Sequence, residues 1–100
     1  MEIRFRTSLL RKTFEDHALA ARKYGDAVAR KYIQRITLLK QVRNFAEVMA
    51  VHSLRCHPLR GSRKGQYALS LDFRYRLIFS VCGDALEIAW IEEVSKHYDD

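Results

Sequence analysis

The chain has 100 residues, 48% of them apolar and 30% charged, with four glycines and one proline. This composition is that of a globular chain and not a disordered one, and the length allows one core and one domain, 1–100. A net charge of +6 and an isoelectric point near 9.6 suit an anionic partner, whether nucleic acid, an anionic membrane or an acidic protein, or else no more than a solvated basic surface.

The first five residues, MEIRF, alternate and predict a strand with Ile3 and Phe5 on one face. Thr7 or Ser8 is placed to cap a helix carrying Leu10, Phe14, His17, Ala18 and Ala21 on one side. Gly25 then ends that helix and Asp26 caps the next. From Asp26 to about Arg43, Ala29, Tyr32, Ile33, Ile36 and Leu39 make one apolar stripe. With almost no linker between them, the two helices should form an antiparallel hairpin. FAEVMAV (45–51) predicts one more short turn of helix.

After His52 the apolar period changes from 3.6 to 2. LRCH (54–57) predicts a strand ended by Pro58, which cannot donate to a ladder. Gly61 and Gly65 bracket a basic loop. Tyr67, Leu69, Leu71 and Phe73 then alternate with polar or small residues, and Tyr75, Leu77, Phe79 and Val81 continue on the far side of a turn. Gly83-Asp84 is a tight-turn signal, and Leu86, Ile88 and Trp90 carry the alternation into a last strand. The order β-α-α-β-β-β-β predicts an α+β chain: a helical hairpin on one face of a mostly antiparallel sheet.

The charge is uneven. Residues 51–82 carry six basic side chains and one acidic, whereas residues 83–100 carry one basic and six acidic. All six of those cations fall in RCHPLRGSRKGQYALSLDFRYRLIF (55–79), beside His57 and the only proline. An imidazole can move a proton near neutral pH, and a guanidinium fork fits phosphate oxygens. Arg76 is out of phase with Leu77 and Phe79, so it projects from the face opposite the core, as a ligand-binding or merely solvated residue. His17 falls near an apolar stripe and reads as a structural, partly buried histidine. His57 and His97 either meet across the sheet or remain two separate surface histidines.

Cys56 and Cys82 are too few for a disulfide framework, which points to a reducing cytoplasm. With Cys56, His57, Cys82 and His97 there is no CxxC or HxxxH spacing, so a metal site is poorly supported. No apolar run reaches the length of a membrane span, and no signal-peptide core is present, so no membrane partner is expected.

The segments HPLRGSRKGQYALSLDFRYRLIF and YGDAVARKYIQRITLLKQVRNFAEV together resemble the RelE/ParE superfamily of bacterial toxins, most closely its HigB, or plasmid-maintenance killer, branch. The resemblance covers nearly the whole chain, and HPL-x-G-x-x-x-G followed by an arginine-bearing strand is its most specific part. It implies a RelE-like fold, with an N-terminal strand and helical hairpin packed on a mostly antiparallel twisted sheet. It also implies an mRNA endoribonuclease acting in the ribosomal A site without a metal or other cofactor, and an adjacent HigA-like, DNA-binding antitoxin as partner. In such enzymes the RNA 2′-hydroxyl attacks the adjacent phosphate.

By this resemblance His57 is an active-site histidine, Arg60 holds RNA, Arg76 stabilises the scissile phosphate and His97 is the C-terminal histidine and first choice of general base. The branch usually ends in Asp-Tyr-His. Here Ser95 stands at the Asp position and Tyr98 follows the histidine, which makes Tyr98 an alternative helper. Arg63, Lys64 and Arg74 are supporting phosphate binders by position and charge. Two other functions fit the same chain: a ParE-like gyrase poison on the same fold, and an RNA-binding module without catalysis. The histidines favour the nuclease, because a gyrase poison needs no acid–base pair.

Overall fold

The computed structural model describes residues 1–96. Five strands form one sheet in the order β1-β5-β4-β3-β2, where β1 is Glu2–Phe5, β2 His57–Pro58, β3 Gln66–Ser70, β4 Tyr75–Cys82 and β5 Ile88–Lys96. β1 runs parallel to β5, and every other pairing is antiparallel. Four helices, α1 (Ser8–Glu15), α2 (His17–Tyr24), α3 (Asp26–Gln41) and α4 (Phe45–Ala50), supply the second layer.

The expected first helix is two. Asp16 takes an extended conformation, and its side chain accepts from the Leu19 N–H at 3.2 Å while its own N–H still donates to the Lys12 carbonyl at 2.9 Å. The aspartate thus ends one helix and caps the next, a competition with helical hydrogen bonding typical of its short polar side chain. The break rotates the second segment. Ala20 is buried while Ala18 and His17 are exposed, so His17 is a surface residue and not a core one; its Nε2 lies 3.4 Å from Asp26 Oδ1. Thr7 caps α1 as expected, accepting from the Leu10 N–H at 3.2 Å. Gly25, at φ 87°, is the residue between α2 and α3, and Asp26 is the first residue of α3 instead of its cap. Positive φ at that position suits glycine, which has no Cβ.

The core lies between the helices and one face of the sheet. Tyr32, Ile36, Leu39 and Val48 meet Leu69, Leu77, Phe79 and Ile91, all fully buried. Each such side chain contributes about 1.5–3 kcal/mol of transfer free energy. The Tyr32 hydroxyl donates to the Leu10 carbonyl at 2.6 Å and ties α3 to α1. Phe45 of α4 packs against Tyr67 in a tilted pair with ring centroids 4.5 Å apart and lies edge-on to Phe79 at 6.1 Å. This short helix therefore anchors the sheet end that carries β2 and β3.

Four details depart from the sequence expectation. Residues 52–54 form a 3-10 turn, Arg55 is left-handed at φ 53°, and β2 begins at His57 and includes Pro58. Proline is tolerated because β2 is an edge strand. β3 ends at Ser70, and Phe73 leaves the alternation altogether. The β4–β5 connection is five residues long (83–87), with Gly83 at φ 94° and space for its missing Cβ closed by the Leu86 carbonyl. Finally, a register shift at Ile78/Phe79 pairs Ile78 with Glu93 and Phe79 with Ile91. Glu92 is the extra residue of this bulge. The core-facing stripe of β5 is therefore buried Ala89 and Ile91 with partly buried Val94, and Trp90 lies on the opposite face from the core.

Candidate functional site

The sheet face away from the helices carries a second, smaller apolar patch of Leu59, Ala68 and Ile78, all buried. Above and around it is a cavity of about 610 Å³ lined by His57, Pro58, Leu59, Arg60, Arg63 and Arg76. Pairing builds this arrangement. His57 sits opposite Ala68, Ala68 opposite Ile78, and Ile78 opposite Glu93, so four strands form one row. One row further along, Ser70 is opposite Arg76, and Arg76 is opposite Ser95. The phase of Arg76 read from the sequence thus matches its place on the non-core face.

His57 is exposed, and its Nδ1 lies 2.9 Å from the Arg55 carbonyl. A carbonyl oxygen only accepts, so Nδ1 carries the proton in this bond. Nε2 is then left to give or take a proton at the cavity mouth. The left-handed conformation of Arg55 turns its carbonyl into position for this bond.

Arg63 projects from the 3-10 turn at Gly61–Arg63. It donates to Gln66 Oε1 at 2.9 Å and forms an ion pair with Glu93. Arg60 precedes this turn, exposed at the rim. Arg76 is half-buried. Desolvation lowers its guanidinium below the ordinary value, Arg63 pushes the same way and Glu93 opposes both. Arginine nonetheless remains cationic at neutral pH. The cavity therefore presents a fixed imidazole and three guanidinium groups, with the Glu93 carboxylate paired to Arg63. Such a site suits the oxygen atoms of a phosphodiester.

A second recess of about 240 Å³ adjoins it, sharing His57 and Arg76 and bounded further by Arg55, Ser70, Asp72, Phe73 and Tyr75. Lys64 and Arg74 do not line the larger cavity. Lys64 is exposed just after the 3-10 turn, and Arg74 lies in the β3–β4 turn with its guanidinium 5.4 Å from the centre of the Phe73 ring. His97 and Tyr98 lie outside the described residues.

Glu93, the ion-pair partner of the cavity residue Arg63, is the neighbour that the sequence concealed. It reads there as part of an acidic C-terminal stretch, and only the bulge brings it onto the face of His57 and Arg76. A carboxylate three residues before Lys96 gives no local signal of a partner thirty residues upstream. Among the described residues no cluster of three or more His, Cys, Asp or Glu side chains could hold a metal. Burial pushes the Cys56 thiol up to about 11, so it is a neutral, half-buried side chain and not a thiolate.

No protein-family model and no curated protein matches this sequence. Solved structures do match in shape. The YoeB/ParE toxin from Agrobacterium tumefaciens superposes with a TM-score of 0.62 at 14% identity, covering 98% of this chain and all of the other. YafQ from Escherichia coli gives 0.64 at 18% identity over 96% of this chain and 92% of its own. The protein HP0894 from Helicobacter pylori gives 0.53 at 18% identity over 97% and 94%. The chain has the α+β, RelE-like fold of these proteins.

Proposed function

We propose that this chain is the toxin of a type II toxin–antitoxin pair, of the HigB-like kind, and that it cuts mRNA in the ribosomal A site. The observation that carries this reading is the convergence of His57, Arg60, Arg63 and Arg76 on one cavity from three separate segments. The fold shared with a YoeB/ParE toxin supports it.

In this mechanism the 2′-hydroxyl loses its proton to a base and attacks the adjacent phosphorus. The bond to the 5′-oxygen of the next nucleotide breaks, and that oxygen takes a proton from an acid. The products are a 2′,3′-cyclic phosphate and a 5′-hydroxyl. Arg76, set into the sheet, stabilises the extra charge on the pentavalent phosphate, and Arg60 and Arg63 hold the flanking backbone. His57 exchanges a proton through Nε2, and His97, assisted by Tyr98, is assigned the complementary step. Lys64 and Arg74 meet RNA further out. The chemistry calls on side-chain protons and guanidinium charge and asks for no metal or other cofactor. The partners are then mRNA and ribosomal RNA, with a HigA-like, DNA-binding antitoxin that masks the basic face, all in the cytoplasm and without a membrane.

Ribosomes programmed with a defined mRNA test this directly. The purified chain should cut the all-ribose message and leave 2′,3′-cyclic phosphate ends, and a 2′-deoxy substitution at the cut position should block the reaction. Cleavage of the deoxy-substituted message, or no cleavage of either, would sink the mechanism. Double-strand DNA breaks in expressing cells with intact mRNA would indicate the gyrase-poison alternative.

A further inference from the structure

Phe73 is the most exposed large apolar side chain among the described residues, at 85%. Its place is built, not frayed. Asp72 Oδ1 accepts from the N–H groups of Arg74 and Tyr75 at 2.7 and 2.6 Å, and the N–H groups of Leu71 and Asp72 both donate to the Tyr75 carbonyl, at 3.0 and 3.2 Å. These bonds fix the β3–β4 turn with the ring outward. An exposed phenylalanine forgoes the transfer free energy that burial would give, so a held outward ring costs stability without structural return.

The surroundings of the ring are cationic. Arg74 lies 5.4 Å from its centroid, and the ring walls the smaller recess together with Arg55, His57 and Arg76. Among the described residues the one carboxylate lining this recess is Asp72, whose Oδ1 already accepts from two N–H groups of the turn. An apolar protein partner would meet a ring hemmed by guanidinium groups, whereas a nucleotide offers a π-face for the ring and a phosphate for the cations. Because the recess shares His57 and Arg76 with the larger cavity, the ring stands at the edge of the phosphate site.

We infer that Phe73, flanked by Arg74, is a stacking platform for an unpaired nucleobase next to the phosphate held at His57 and Arg76. The location of that phosphate rests on the ribonuclease reading. The occupant is single-stranded RNA, since a base within a duplex already has both faces stacked. Base–aromatic stacking is worth about 5- to 150-fold in affinity and tolerates any base.

Fluorescence anisotropy with a labelled 2′-O-methyl hexaribonucleotide, which has no free 2′-hydroxyl to attack, tests the platform. Phe73→Ala should weaken binding about ten-fold, and Phe73→Trp should retain it. One abasic position, found by moving it along the oligonucleotide, should weaken wild type equally and leave Phe73→Ala no weaker still. Equal binding by wild type and Phe73→Ala, the same extra loss at every abasic position, or no binding by wild type would each overturn the platform. So would a Phe73→Ala defect confined to a protein partner. Cleavage on programmed ribosomes separates the two readings. Stacking without any cut removes the nuclease and leaves the platform, and cutting that Phe73→Ala leaves unchanged in both rate and half-saturating concentration removes the platform alone.

Discussion

The two faces of the sheet are built from the same strands and obey different rules. On one, Leu69, Leu77, Phe79 and Ile91 are fully buried against α3 and α4. On the other, Leu59, Ala68 and Ile78 make only a small apolar floor, and Arg63, Arg76 and Glu93 stand around it. The first face is specified by volume and dryness. The second is specified by charge, with its strand positions held by the first. β4 shows this within three residues: Leu77 and Phe79 hold the strand, and Arg76 is thereby fixed. A rigid scaffold of this kind lowers the reorganisation needed when charge develops in a reaction.

The two faces differ most in their response to a change at Phe79. Phe79→Ala should cost about 3–5 kcal/mol of unfolding free energy, a large share of the 5–15 kcal/mol typical of a domain, read from urea denaturation. Loss of less than 1 kcal/mol would mean that the two faces do not divide the labour in this way. Arg76→Ala should do the reverse. The cleavage rate should fall by about 10²–10³, as when one preorganised charge donor is removed, while the urea midpoint moves little. A large fall in stability with an unchanged rate would place Arg76 in the scaffold.

A smaller change sharpens the charge of the open face. Glu93→Gln releases Arg63 from its ion pair and removes one negative charge, so RNA should bind several-fold tighter in low salt. The gain should shrink near 1 M salt. Weaker binding at all salts would mean that Glu93 serves chiefly to position Arg63.

The smallest effect concerns Cys56, the half-buried residue just before β2. Cys56 has its thiol pushed up to about 11 by burial, from an ordinary value near 9.0. The folded state then holds its proton where the unfolded state loses it. Stability from this group is complete below pH 9 and is lost as pH rises towards 11. Cys56→Ala should flatten that part of a pH titration of unfolding. An unchanged slope would assign the pH dependence to other groups, such as Tyr24, whose hydroxyl burial also raises.

The sequence carried much of the core and a definite part of the site, for physical reasons that differ by residue. Period-2 alternation in 66–82 is legible because one face is dry, and that same alternation gave the correct face for Arg76. The helix stripe from Ala29 to Leu39 was legible for the same reason at period 3.6. The break at Asp16 was hidden because an aspartate inside a helical pattern does not announce whether it caps or merely faces water. Phe73 read as a strand residue because hydropathy does not register the Asp72 turn that ejects it. The bulge at Glu92 was invisible because one extra residue reverses the phase of everything after it while leaving composition untouched. Glu93 lies beyond that step, whereas Trp90 precedes it and read as apolar alternation continuing from Leu86 and Ile88. His57 was legible as a polar residue beside a basic loop, but its Nδ1 bond to the Arg55 carbonyl depends on a left-handed residue that nothing in Arg55 foretells.

Induced expression of the chain alone in a bacterial host, followed by primer extension on abundant mRNAs, for wild type and Arg76→Ala, tests the open face as a ribonuclease site. Discrete cuts inside translated frames, present in wild type and absent from the folded Arg76→Ala variant, are the predicted result. Growth arrest with uncut mRNA, or the same cuts from both proteins, would contradict the assignment of the open face as a ribonuclease site.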